Sequence, residues 1–193
     1  MTDTAETLIL RISLDYVEPE IWRVVEVAGN GTLGDVHEAL VGAMGWEDSH
    51  LHSFMVGDET YSPVYERLET IGDDEESITI DEALPDVGST ITWLYDWGDE
   101  WRHTITVEDT GTMQHGITYP VLYGGARACP PEDCGGPWGY MELLAILNDP
   151  DYEPQRLSRE QSLNWLRPGF NPDVFHFKKA EWRMRNPAPK KPW

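Results

Sequence analysis

Every second residue from Leu8 to Leu14 is aliphatic: Leu8, Leu10, Ile12 and Leu14 share one face, and Ile9, Arg11 and Ser13 the other. This period of two predicts a half-buried strand over Thr7–Leu14. A turn through Asp15–Glu20, carrying Pro19, leads to a second strand over Ile21–Val27, so the chain opens as a hairpin. Gly29-Asn30-Gly31 breaks the pattern, and the period then lengthens. Leu33, Val36, Leu40 and Met44 recur at helical spacing behind Thr32, an N-cap with Asp35 as its capping-box partner, and Gly45 supplies the stop. A third strand follows over Leu51–Val56.

Residues 63–77 are acidic and poor in apolar side chains, which predicts an exposed excursion. Ile78–Ile80 reads as a short strand and Asp81–Leu84 as a helical turn stopped by Pro85. Thr90–Tyr95 and Trp101–Val107 are rich in Ile, Thr, Trp and Tyr, and the Asp96–Glu100 link with Gly98 makes them a hairpin. Asp109–Thr118 reads as a polar connection and Tyr119–Tyr123 as a last short strand. Pro137 then opens a helix through Met141, Leu143, Leu144 and Leu147 that Asp149-Pro150 ends. Ser158 and Gln161 form a second capping box, for a helix running to Leu166, and Asn171-Pro172 starts one more helical turn. These elements predict an α+β single domain over residues 1–180 and a basic tail over 181–193. The sheet is mostly antiparallel or mixed, with a β-grasp-like ββαβ opening and helices at the C-terminal end.

Charge changes this picture. The 193 residues carry a net charge of −21, yet residues 178–193 hold six basic residues against one acid. The preceding 177 residues hold 8 Lys and Arg against 34 Asp and Glu. A body this acidic repels phosphate backbones, which argues against direct nucleic-acid binding by the main domain. No apolar run approaches a membrane span, and the acidic start has no basic n-region before an apolar stretch. With two cysteines in the whole chain, the expectation is a cytoplasmic protein without a membrane partner.

The densest chemistry lies between Gly124 and Tyr140, a segment with both cysteines, three prolines and five glycines. Cys129 and Cys134 stand at a C-x4-C spacing, within the range of zinc knuckles. With His50 and His103 they make a candidate metal set, zinc being the candidate ion. Asp96, Asp99 and His103 share one turn and are the catalytic candidates for acid–base work. Arg102, Arg127, Glu132 and Asp133 are the ligand-binding candidates. There is no G-x-S-x-G, P-loop or G-x-G-x-x-G behind a strand.

The motifs Ile21-Trp22-Arg23, Met44-Gly45-Trp46 with His50-Leu51-His52-x-Phe54, Tyr95-Asp96-Trp97-Gly98-Asp99-x-Trp101-x-His103, and Ala126-Arg127-Ala128-Cys129-Pro130-Pro131-Glu132-Asp133-Cys134-Gly135-Gly136-x-x-Gly139-Tyr140 occur in that order. The sequence therefore resembles the plasmid pRiA4b open-reading-frame-three-like family over roughly residues 7–180. That family's relatives include a passenger protein of insertion elements labelled TnpR. The resemblance implies an α+β single domain, and Trp97 stands where the pattern leads one to expect Phe. A resolvase is not implied, because this chain lacks an active serine among arginines and a basic DNA-binding domain. The leading expectation is a non-enzymatic interaction or ligand-binding domain for a protein or small-molecule partner, accessory to mobile elements. The alternatives are a metal-dependent hydrolase using a His/Cys/carboxylate site and a purely structural protein.

Overall fold

The computed structural model describes residues 6–64 and 71–187. The chain folds as one eight-stranded sheet with helices packed on it. Strands β1 (Glu6–Leu14) and β2 (Trp22–Ala28) form the opening hairpin, α1 (Leu33–Met44) follows, and β3 (His52–Val56) completes the ββαβ order. Then come β4 (Glu59–Ser62), β5 (Asp73–Asp74), α2 (Ile80–Ala83), β6 (Thr90–Tyr95), β7 (Trp101–Thr112) and β8 (Val121–Ala126). The chain continues with α3 (Gly136–Asn148), α4 (Arg159–Leu163) and α5 (Phe177–Arg185). The spatial order is β5-β4-β3-β6-β7-β1-β2-β8, so the β6–β7 hairpin separates β3 from the opening pair. All pairings are antiparallel except the short β4–β5 contact.

Alternation decides which face is covered. Leu10, Ile12, Val25, Ile91, Trp93, Tyr95, Trp101, Ile105 and Phe54 are buried on the helix-covered face. On the other face Arg11 stacks over Trp22 and pairs with Glu20. The aromatic residues crowd one end of the sheet: Trp46 stacks on Tyr95 at 4.8 Å and tilts against Trp93 and Trp101.

The start of α1 obeys its sequence. Thr32 accepts from Asp35 N–H while the Asp35 carboxylate takes Thr32 N–H, and Gly45 closes the helix in the left-handed region at φ 97°. Several expectations are corrected. Residues 78–80 are no strand, because Thr79 caps α2 through a capping box with Glu82. The acidic stretch is not uniformly exposed; residues 65–70 lie outside the described residues, but Glu75 is buried and bonds His52 Nε2 at 2.8 Å. That imidazole stacks on His37 with centroids 3.3 Å apart. Strand β7 runs on to Thr112, through the first four residues of the predicted polar connection, because β1 pairs with it as far as Glu6. Helix α4 stops at Leu163, three residues short.

The segment set aside as a basic tail over 181–193 begins inside a helix. Ala180 and Met184 of α5 are buried, and α5 lies so close to α1 that a Cβ on Gly42 would stand 2.7 Å from Met184 Cα and N. Its lysines and arginines masked an apolar stripe of two residues, Ala180 and Met184. Residues 188–193 of the same segment lie outside the described residues. Gly42→Ala forces the helices apart, and overpacking of this kind costs about 1–3 kcal/mol. We expect a lower urea midpoint with an unchanged slope for Gly42→Ala; equal midpoints would show that α5 does not rest on α1.

Candidate functional site

One buried cation organises the end of the sheet where the motifs meet. Arg23 faces the core directly opposite Ile12 and is 1% exposed. Its Nε donates to Ala43 O, an orphan carbonyl at the end of α1, and its two terminal nitrogens donate to Trp22 O, Ala126 O and Arg127 O. The Phe175 ring covers the guanidinium at 4.1 Å. Gly125 is glycine because a Cβ there would strike Phe175 and Arg23 Cδ at 2.7 and 2.8 Å. Burial lowers the Arg23 pKa to about 10, which leaves it charged at neutral pH. Among the described residues no carboxylate pairs with it.

The Gly124–Tyr140 segment runs from the end of β8 through a loop into the start of α3, and it is fastened to the sheet end at several points. Trp46 Nε1 donates to Pro130 O at 3.0 Å. Glu132 accepts from Tyr95 OH at 2.6 Å and from Glu47 N–H, so it serves as a clasp. Burial first, then the Glu132 bond, pushes the Tyr95 phenol upward. In the aspartate-rich turn, Asp96 has φ 58° and its Oδ1 accepts from Gly98 and Asp99 N–H. Asp99 accepts from Gly135 N–H at the start of α3, and burial raises its carboxyl, with Asp96 and Asp133 adding to the effect. Gly136 has φ 69° and its missing side chain leaves room for the Asp99 carbonyl.

The remaining predicted residues scatter. His103 is fully enclosed between Trp93 and Trp46, with Nδ1 3.4 Å from Trp93 O; burial pushes its pKa down to about 3. It is therefore neutral and enclosed, and among the described residues it joins no cluster of metal-ligating side chains. Arg102 alternates to the other side of β7, where it acts on Asp15. Arg127 pairs with Asp173 rather than with Glu132 or Asp133. Cys129 and Cys134 are free thiols; burial raises both, Cys134 to about 12. Among the described residues, His50, His103, Cys129 and Cys134 do not gather as a ligand set; His50 instead meets Asp96 and Asp133.

Between the loop, the end of α1 and α5 runs a cleft of about 400 Å³. Arg23, Arg167, Lys179 and Arg183 lie on its wall with Cys129, Pro130 and Phe175, and Glu132 and Asp133 stand at its edge. Sequence reasoning quoted Arg23 within a motif but gave it no role. An arginine among apolar core positions of a strand was the available signal.

These features define a class: an α+β domain on one nearly antiparallel sheet, with a Cys- and Pro-bearing loop clamped over a buried arginine. The chain belongs to the plasmid pRiA4b ORF-3-like protein family, whose model matches residues 6–179. It is similar to the uncharacterised protein y4hQ of Sinorhizobium fredii (strain NBRC 101917 / NGR234), 36% identical over 162 residues, which are 83% of this chain and 81% of that one. It is also similar to the crystal structure of a protein of unknown function, MM3350, from Methanosarcina mazei Go1. That likeness has a TM-score of 0.76 at 30% identity and covers 90% of this chain and 97% of the other.

His103 gives a pH test. Its folded pKa, about 3, lies below the ordinary 6.5, so between these values the unfolded chain takes up a proton that the folded chain refuses. Its contribution to stability is complete above pH 6.5 and falls as pH drops toward 3, by at most about 1.4 kcal/mol per pH unit. We expect His103→Leu, whatever it costs at pH 7, to show a shallower loss between pH 6 and 4 in denaturant titrations. Parallel curves would exclude His103 as the titrating group.

Proposed function

We propose that this protein is a non-enzymatic ligand-binding domain whose ligand is a small anion, a phosphate or carboxylate compound, held in the cleft beneath the motif loop. The observation that carries this reading is Arg23. A desolvated guanidinium with only neutral carbonyls and an aromatic ring around it lies on the wall of a cleft that also presents Lys179, together with Arg167 and Arg183, which share Glu47 as their ion-pair partner. A buried cation without a counter-charge gains from an anionic ligand. The clustering is the more telling in a chain of net charge −21.

The non-enzymatic part of the reading rests on how the polar groups are used. Asp96 and Asp99 hold backbone N–H groups, His103 is enclosed, and the two thiols are raised away from the reactive thiolate. The metal-dependent hydrolase draws less support, since its His and thiol ligands lie apart. The likeness of the motifs to an insertion-element passenger protein adds a setting, a role accessory to mobile elements rather than in strand exchange.

Calorimetry with inorganic phosphate and with small dicarboxylates tests the reading. We expect saturable binding that weakens as salt is raised. Lys179→Gln with Arg183→Gln should weaken it by roughly tenfold or more, the value of one charge-assisted contact. No saturable binding for either anion class, or equal affinity in the double variant, would overturn it.

A further inference from the structure

Three side chains from separate segments converge beside the aspartate-rich turn. One ring nitrogen of His50, one carboxylate oxygen of Asp96 and one of Asp133 lie within 4.8 Å of one another. His50 comes from the loop before β3, Asp96 from the turn directly after β6, and Asp133 from the motif loop. His50 Nδ1 stands 3.3 Å from Asp96 Oδ2, and His50 Nε2 stands 3.5 Å from Asp133 Oδ1.

Both ring nitrogens thus face carboxylate oxygens, which are acceptors only. A neutral imidazole has a single N–H, so one of its nitrogens must turn a lone pair toward an acceptor. Nε2 is shut off from solvent and makes no hydrogen bond among the described residues. The Asp96 side chain is only 10% exposed, and neither carboxylate has a lysine or arginine ion pair among the described residues. Asp99 stands close enough to feel both negative charges. An electron-rich pocket of this kind suits a metal cation.

We propose that His50, Asp96 and Asp133 bind one divalent first-row metal ion, manganese or zinc. Two carboxylates balance the ion's charge; carboxylate oxygens suit manganese, and the imidazole suits zinc. Ligand bonds of about 2.0–2.2 Å require the three ligand atoms to close on one another. Asp133 has that freedom, because its side chain is 59% exposed. The ligand set differs from the thiol-containing one that the C-x4-C spacing suggested. Asp133 also stands at the edge of the anion cleft, so an ion here would sit beside any bound ligand.

The probe is the metal alone, which makes the result independent of the anion reading. Metal-free full-length protein is titrated with Mn²⁺, followed by the electron-spin resonance of free ion, and with Zn²⁺ by calorimetry. We expect one site per chain. Asp133→Asn, an exposed change that leaves the turn intact, and His50→Gln should each weaken binding by at least roughly the tenfold lost with outer-shell partners. Glu59→Gln, on an exposed carboxylate of β4, should leave it unchanged, with circular-dichroism melts confirming that all variants fold. Absence of a saturable site, or full affinity in Asp133→Asn, overturns the proposal.

Discussion

The structure at the motif end depends on a charge in a place where charges are costly. Arg23 sits at a core-facing strand position, where the pleat calls for an aliphatic residue. Removing a cation from water is offset only if its donors find partners, and Arg23 finds four carbonyls from three parts of the chain. One of them belongs to the last turn of α1, where the helix dipole favours a cation. The guanidinium therefore fixes the end of α1, the end of β8 and the start of the motif loop relative to one another. Phe175 seals it from above and brings the segment before α5 into the same assembly.

The shape of the motif loop follows from that constraint. Its glycines are spent on close approach: Gly125 admits Arg23 and Phe175, and Gly136 admits the Asp99 carbonyl. Its polar groups are spent on attachment, with Pro130 O taking the Trp46 indole and Glu132 taking the Tyr95 phenol. What stays available is the edge, where Asp133 is exposed, and Lys179 on the wall contributed by α5, whose Arg183 is held by Glu47 and the Trp46 carbonyl. Rigid fastening and an open margin together give a preorganised recess, which lowers the ordering cost of binding.

Local pattern was enough for the elements that obey one rule at a time. The β1–β2 hairpin, α1 with its capping box, and the β6–β7 hairpin all carry their period and punctuation in the chain. The misses share a physical cause, the dependence of burial on distant partners. Glu75 reads as solvated until His52 is brought to it, and α5 reads as a charged tail until Gly42 makes room for Met184. The candidate site was legible as a neighbourhood but not as roles. His103 and Asp96 are close in sequence, yet alternation on β7 puts the imidazole into the aromatic core while the turn holds the carboxylate, itself mostly buried, beside His50.

The two borders of the sheet differ from its middle. On one side the last strand, β5, is two residues long and consists of Asp73 and Asp74. On the other, β8 is bulged against β2 and leads straight into the loop that Arg23 and Pro172 tie down. A short acidic margin and a kinked, tethered one are both poor templates for another strand. Eight strands with a strongly apolar face would otherwise invite edge-to-edge growth into larger aggregates. The fold thus guards its own perimeter.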